Sequence, residues 1–362
     1  MKKQIKLFDP SIDSSEKNIL TKVLESKFWA SGSGNGYVKQ FEKKFQNYVH
    51  AKSCVAVNSG TSALNLAFSL FDIKNKEVIL PSMSFVSTAH CIVENGGIPI
   101  FVDIEPKTLC IDPEKIKQKI TKRTAAILPV HFGGMPCNLS KIQSIAKSNK
   151  LIIVEDAAHA VGSEFNRKKI GSHSSVVCFS FHPVKNLAMP TGGLLAINHK
   201  NYNQFQKKLF SKRWCGITNR NGTDYDVENL GWNYYMNEFS AAIGLIQLKK
   251  LNKLNQIRKK IAKQYSKELT IESKMPYDQN CSYHLYWLLV KNRQKFRKYM
   301  SDNGIETGTH YKPIHKMSMY ETNSYLPITT KTGNEIVTIP IHPNLKSLEI
   351  NKIVSKINKF FD

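Results

Sequence analysis

A chain of 362 residues is long enough for a full hydrophobic core in one large or two unequal domains, which excludes a small module held together by staples. The formal charge of +24 suits a nucleic-acid binder, but the lysines are scattered at spacings of solvated helix faces, as at Lys249, Lys250, Lys253, Lys259 and Lys260, with no recognition helix or aromatic-interleaved RNA motif. Seven cysteines without a C-x-x-C pair argue against a disulfide framework or a metal site, and no run reaches signal-peptide or membrane-helix character, so a soluble cytoplasmic protein is expected.

Ser14 to Ser26 carries Ile19, Val23 and Leu24 at helical spacing behind a serine cap, which predicts a first helix. Phe28-Trp29-Ala30-Ser31-Gly32-Ser33-Gly34 reads as a glycine-rich loop. Tyr37 to Val49 repeats the helical pattern, with Val38, Phe41, Phe45 and Tyr48 on one face. Cys54 to Val57 is a short strand, followed by Asn58-Ser59-Gly60-Thr61 and an apolar helix from Ala63 to Phe71. A glycine turn that feeds a helix offers unpaired N–H groups and a positive dipole end to a phosphate. An N-capping serine or threonine satisfies the same pattern without a ligand. Val78 to Pro81 is the next strand, and Ser82 to Ala89 leads from it into a helix. Phe85 there is either a core side chain or a ring available for stacking on a planar ligand. Ile98 to Val102 and Ala125 to Val130 continue the rhythm, which predicts a mostly parallel, doubly wound α/β sheet. His131 reads as a structural or pocket-edge histidine with no catalytic role.

Leu151-Ile152-Ile153-Val154 is a continuous apolar run ending in Glu155-Asp156. Such a run is a buried parallel strand that delivers its carboxylates at the edge where open α/β sheets bind ligands. Val176 to Phe181 is a second run, ending in Ser180 and, past Pro183, in Lys185. A lysine after a buried strand is poised for desolvation, which favours the free amine that attacks a carbonyl. Separately each has an ordinary explanation, a solvated lysine and a turn aspartate. Together they fit pyridoxal phosphate (PLP) catalysis, in which a lysine holds the cofactor as an imine and a carboxylate keeps its ring nitrogen protonated. Lys185 is the candidate for the first role and Asp156 for the second. His159, three residues on, is expected to share a helical face with Asp156. Gly192-Gly193, before a strand from Leu194 to Ile197, points to close backbone approach.

Lys200 to Arg213 reads as a basic helix and Trp214 to Glu228 as a polar loop. A helix from Phe239 to Leu248 follows, with Ala241, Ala242 and Gly244 permitting tight packing, and Asn233 in its approach is a turn asparagine on chemistry alone. Leu248 to Leu269 is a long lysine-rich helix that hands the chain to a smaller C-terminal α+β domain. The expected division is 1–248 and 249–362, with the N-terminal segment free to pack on the second part. Tyr286 to Val290 is a strand, Phe296 to Asn303 a helix, and the loop Gly304 to His315 holds His310, Tyr311 and His315.

The segments Glu155-Asp156-Ala157-Ala158-His159 and Phe179-Ser180-Phe181-His182-Pro183-Val184-Lys185-Asn186, with Asn58-Ser59-Gly60-Thr61-Ser62-Ala63-Leu64 upstream, resemble the DegT/DnrJ/EryC1/StrS family of PLP-dependent sugar aminotransferases. The resemblance covers nearly the whole chain. It implies PLP fold type I, the aspartate aminotransferase fold, and a homodimer with shared active sites. It further implies transfer of nitrogen from L-glutamate to a keto-sugar, commonly a nucleotide-linked 4-keto-6-deoxyhexose, for polysaccharide or glycoconjugate biosynthesis. The family pattern makes Lys185 and Asp156 catalytic and places Gly60, Thr61, Ser62, Phe85, His159 and Ser180 at the cofactor, with Asn233 reaching the neighbour's cofactor phosphate. Trp29, Ser31, His310, Tyr311 and His315 match positions near the sugar.

Two features depart from the family. Met189-Pro190-Thr191 stands before Gly192 where an acidic residue is usual, and Tyr235 stands where an arginine usually follows Asn-Tyr. The second departure removes an expected anion contact and opens the alternative of a 3-keto sugar or one without a nucleotide. A PLP-dependent sugar dehydratase is a further alternative, but such relatives carry histidine in place of the lysine, and Lys185 is retained. A basic nucleic-acid-binding or regulatory protein that merely keeps PLP is the last.

Overall fold

The apolar runs form strands because the sheet is covered on both faces. In a computed structural model, which describes residues 4–362, seven strands make one sheet: β1 (Ser53–Val57), β2 (Glu77–Pro81), β3 (Ile98–Val102), β4 (Thr124–Ile127), β5 (Ile152–Asp156), β6 (Val176–Ser180) and β7 (Gly193–Ile197). Their spatial order is β1-β7-β6-β5-β4-β2-β3. All neighbours are parallel except those of β7, which runs antiparallel to β1 and β6. The expected mostly parallel α/β sheet is therefore present.

Successive residues of each strand enter opposite cores. Cys54, Ala56, Val177, Phe179, Leu194 and Ala196 face one, and Val55, Val57, Val176, Cys178, Leu195 and Ile197 the other. The first core is closed by α2 (Tyr37–Val49) through Val38, Phe41 and Phe45, and by α6 (Leu139–Ser148). The second is closed by α3 (Gly60–Phe68), α4 (Ser87–Glu94) and α7 (Tyr202–Lys212). Helices α1 (Ser14–Ser26) and α5 (Pro113–Lys119) complete this part.

The stretch read as a polar loop after α7 is a hairpin, β8 (Ile217–Asn221) against β9 (Asp224–Val227). Its residues are largely exposed, so no apolar alternation marked it as strand. The two helices expected from Phe239 to Leu269 are one, α8 (Glu238–Glu268), capped by Asn237, whose side chain accepts from the Ser240 N–H at 2.8 Å. No glycine or proline breaker interrupts it at the expected junction, and at 31 residues it is about 46 Å long. The division expected between 248 and 249 thus falls inside a continuous helix.

Beyond α8, β10 (Tyr286–Leu289) pairs with β11 (Ile336–Ile339). Around them lie α9 (Arg293–Asp302), α10 (Pro327–Glu335) and α11 (Ser347–Phe361). The N-terminal segment crosses to this lobe: Ile5 pairs with Ile305, and the Leu7 N–H donates to Glu306 Oε2 at 2.9 Å. Among the described residues no helix is long and apolar enough to cross a membrane, and no group of potential metal ligands clusters.

Arg213, just after α7, is fully buried and bolts the glycine-rich loop in place. It donates to Glu42 Oε1 at 2.6 Å, to the Ala56 carbonyl at 2.9 Å and to the Ser33 carbonyl at 3.1 Å. Removing one partner of such a pair strands a buried charge, at a cost of about 3–5 kcal/mol.

Candidate active site

Because β5 and β6 are parallel, Asp156 and Ser180, their last residues, reach the same edge of the sheet. A cavity of 370 Å³ opens there, and Gly60, Thr61, Phe85, Asp156, His159, Ser180, Lys185, His310 and Tyr311 all line it. Nine of the residues singled out in the sequence, separated by up to some two hundred and fifty positions, are thus brought to one wall system.

The turn between β1 and α3 is built for contact. Ser59 Oγ accepts from the Ser62 N–H at 3.0 Å, capping the helix. A β-carbon on Gly60 would lie 2.7 Å from Ser180 Cβ, and one on Gly193 would lie 2.1 Å from the Ser59 carbonyl oxygen. Only glycine lets α3, Ser180 and β7 meet this closely. Ser62 turns away from the cavity that Gly60 and Thr61 line: it is buried, and its hydroxyl donates to Asn58 Oδ1 at 2.5 Å. Its expected cofactor contact is absent from this geometry, because capping and Asn58 absorb its polar atoms.

Asp156 is held at both oxygens. Oδ2 accepts from Thr88 Oγ1 at 2.9 Å and Oδ1 from the Ala158 N–H at 3.0 Å, while Thr88 bonds Ser84 at 2.6 Å. Burial raises the Asp156 pKa, and these donors with the Lys185 charge oppose that rise. Lys185 lies half-buried at the cavity wall, its Nζ 3.4 Å from His284 Nε2. Desolvation pushes its ammonium down to about 8, against the pull of the Asp156 charge.

No helix follows β5. The chain turns instead, so His159 reaches the cavity by a turn rather than on a helical face shared with Asp156. Its Nδ1 accepts from the Gly133 N–H at 3.2 Å, which leaves Nε2 to donate to the Tyr311 hydroxyl at 3.1 Å. Burial, aided by the Lys185 charge, holds its pKa well below the usual histidine range, so it is neutral. Phe85 is 55% exposed, its ring 6.0 Å from that of Tyr311, so it is a rim residue and not a core one. His310 bonds Thr338 Oγ1 at 2.7 Å, and burial brings its pKa down to about 4.

Four candidates lie elsewhere. His315 is fully buried and bonds Ser82 Oγ at 2.6 Å, a packing role inside the fold rather than a cavity contact. Ser31 lines a separate, open cleft of 510 Å³ with Trp214, Arg220 and Tyr235, and Trp29 stands near it, half-exposed against Phe239. Asn233 is exposed; its backbone carbonyl accepts from Asn58 Nδ2 at 3.2 Å, and its side chain is outside the cavity of its own chain. His131, buried against Glu155 at 2.8 Å, is structural as expected. Thr88, His182 and His284 are site residues that sequence reasoning missed. His284 stands 99 positions after Lys185, and no spacing rule links them.

A profile of the DegT/DnrJ/EryC1/StrS aminotransferase family matches residues 10–358. The chain belongs to this family. It is a PLP-dependent sugar aminotransferase. It is 32% identical to the GDP-perosamine synthase of Escherichia coli O157:H7 over 367 residues, covering 99% of both chains. It is 34% identical to the dTDP-3-amino-3,6-dideoxy-alpha-D-galactopyranose transaminase of Aneurinibacillus thermoaerophilus over 356 residues, 94% of each. Among solved structures, Helicobacter pylori PseC, an aminotransferase involved in the biosynthesis of pseudoaminic acid, superposes with a TM-score of 0.93 at 27% identity, covering 99% of both chains.

The cavity of this aminotransferase fits its cofactor. It offers a lysine amine with a depressed pKa, a buried carboxylate fixed at both oxygens, an uncovered phenylalanine ring and a glycine turn at a helix N-terminus. When bound there, PLP supplies an electron sink for the substrate carbon.

Proposed function

We propose that this aminotransferase takes nitrogen from L-glutamate and places it on a nucleotide-linked 4-keto-6-deoxyhexose, with Lys185 carrying the cofactor and Asp156 serving its ring nitrogen. The observation that carries the residue assignment is that the Lys185 amine and the Asp156 carboxylate share one cavity with the start of α3. Gly60, Thr61 and Ser180 line the part of that cavity where the first turn of α3 offers N–H groups to a phosphate. Thr88 and Ala158 orient the Asp156 carboxylate. Once freed, the Lys185 amine takes the proton from the α-carbon of the amino donor, a role worth about 10²–10⁴ in rate. Phe85 walls off water on the open side.

The nucleotide is supported by the two relatives named for GDP- and dTDP-linked sugars. A 3-keto sugar is the second reading, favoured by the 34% identity to the relative named for a 3-amino sugar. A homodimer with shared sites is supported by the exposed Asn233 and by Tyr225, Val227 and Leu230, apolar side chains left 52–77% exposed on and beside the hairpin. Placement in a reducing cytoplasm is supported by seven free cysteines, six of them buried.

Borohydride treatment of the holoenzyme, followed by peptide mass spectrometry, tests the central assignment. Pyridoxyl mass is expected on the peptide containing Lys185, and mass on another lysine overturns it. A panel of keto-sugars offered to the aminated cofactor form, followed by its return to aldehyde absorbance, decides between the 4-keto and 3-keto readings.

A further inference from the structure

Behind Lys185 lies a group of residues that the transfer reaction as described leaves without a role. Lys185 also lines a second, much smaller cavity, together with His284, Phe8, Asp9, Arg258 and His342. Arg258, on α8, is 7% exposed, its Nη1 is buried without a hydrogen-bond partner, and among the described residues it forms no ion pair. The nearby carboxylate of Asp9 is engaged by Asn344 at 2.7 Å and by Lys6 at 3.5 Å. At 10 Å³ the small cavity has about the space of one water, too little for an organic anion. Among the described residues the guanidinium therefore has no paired carboxylate, although Asp9 lines the same small cavity.

The imidazole of His284 is clamped. Its backbone N–H donates to the Gly133 carbonyl at 2.9 Å, Phe8 stacks on the ring at 5.7 Å, and His159 packs against it at 4.5 Å. The ionisable groups around it are Lys185, His159, His310 and Arg258, with Asp9 and His342 across the small cavity; burial first, then Lys185 and the other positive groups, hold its pKa well below the ordinary range. A neutral imidazole has one acceptor nitrogen, and Nε2 is the one 3.4 Å from Lys185 Nζ.

We propose that His284 is the positioning residue for the Lys185 amine, accepting a hydrogen bond at Nε2 from the ammonium that forms when Lys185 takes a proton, and that the buried Arg258 cation, which lines the same small cavity, adds to burial and the Lys185 charge in favouring this acceptor state. This rests on Lys185 being the reacting lysine. The proton stays on Lys185: His284 gains only the hydrogen bond and returns unchanged. His159, His182 and His310 also feel the Lys185 charge, and the Asp156 carboxylate favours the ammonium. The contact with His284 gives the amine a fixed neutral acceptor, which limits its swing during proton transfer.

The test uses cofactor-free protein first. Acetic anhydride labelling of Lys185, read by mass spectrometry across pH, is expected to show a midpoint near 8 in the parent chain. His284→Leu removes an acceptor for the charged form and lowers that midpoint by about one, whereas His284→Gln, whose amide oxygen still accepts, restores most of it. In the holoenzyme, His284→Leu is expected to lower kcat about tenfold or more while KM for the amino donor changes less than about threefold, the signature of an effect on the chemical step. Arg258→Met removes one of the charges that oppose a proton on His284, so the acid limb of the kcat profile moves to higher pH, and Arg258→Lys leaves it in place. An unchanged labelling midpoint in His284→Leu, or a Gln variant no better than Leu, overturns the role of His284. An unmoved acid limb in Arg258→Met overturns the role of Arg258. If His284→Leu does not fold, His284→Phe, which keeps a ring in the packed site but has no acceptor nitrogen, takes its place with the same expected lowering and the same overturning result. Labelling in cofactor-free protein reads the Lys185–His284 contact regardless of where the cofactor attaches, so failure of the borohydride assignment is distinguishable from failure here.

Discussion

Two concave surfaces of this aminotransferase differ in kind. The cavity at the strand ends is walled by residues held from several sides: Asp156 by Thr88 and Ala158, His159 by Gly133 and Tyr311, Gly60 against Ser180. The cleft beside the hairpin, with Ser31, Trp214, Arg220 and Tyr235, is open, and its one anchored cation, Arg220, leans on the Trp214 ring at 4.6 Å and donates to the Gly222 carbonyl. Burial depresses the pKa of Lys185 and His159 in the first; Arg220 and Tyr235 in the second stand in or near solvent. Reaction chemistry needs dehydrated, pre-set groups, whereas recognition of a long polar substrate tolerates a wet and adjustable surface.

Substitutions test that contrast from the reacting centre outward. Lys185→Ala is expected to abolish cofactor attachment and reduce turnover by at least about 10³-fold, since both the covalent link and the proton carrier go; steady-state assay beside an absorbance spectrum checks it. Asp156→Asn should keep the fold, because the amide oxygen still accepts from the Ala158 N–H and the amide NH2 can donate to the Thr88 hydroxyl, and slow the glutamate half-reaction by about 10²–10³-fold. Stopped-flow absorbance would expose a near-normal rate, which removes Asp156 from the chemistry.

The next test joins the two regions across a subunit boundary. Mixing Lys185→Ala subunits with subunits disabled at Asn233 is expected to recover up to about one quarter of full activity, because random exchange puts one intact site on half of the dimers. Confirmed exchange with no recovery would return Asn233 to a purely structural place. The smallest effect is expected at the open cleft. Tyr235→Arg restores a fork of donors for phosphate and should lower KM for a nucleotide-linked sugar a few-fold with kcat nearly constant, while a larger change in kcat than in KM would show that the cleft takes part in catalysis.

Much of this was legible in the chain. Lys185 and Asp156 stood out because buried parallel strands are continuous apolar runs, and a charged residue where such a run ends is conspicuous. The glycines at 60 and 193 were legible for a related reason, since only a missing β-carbon permits those approaches. His315 misled because a histidine in a polar loop carries the same letter whether it faces a substrate or, as here, Ser82. The hairpin after α7 was hidden because strands exposed on both faces have no alternation to display.

Local sequence, then, determined the sheet, its helices, the lysine and the carboxylate, because each depends on hydrophobic period and on residues a few positions away. Tertiary structure alone decided that Thr88 orients Asp156, that His284 stands against Lys185, that Arg258 is buried with no ion pair among the described residues, and that Trp29 and Asn233 stay outside the cavity. Those relations join positions 68 to 99 residues apart or turn on which way a side chain packs, and no short-range pattern encodes a contact that only the closing of one core against another creates.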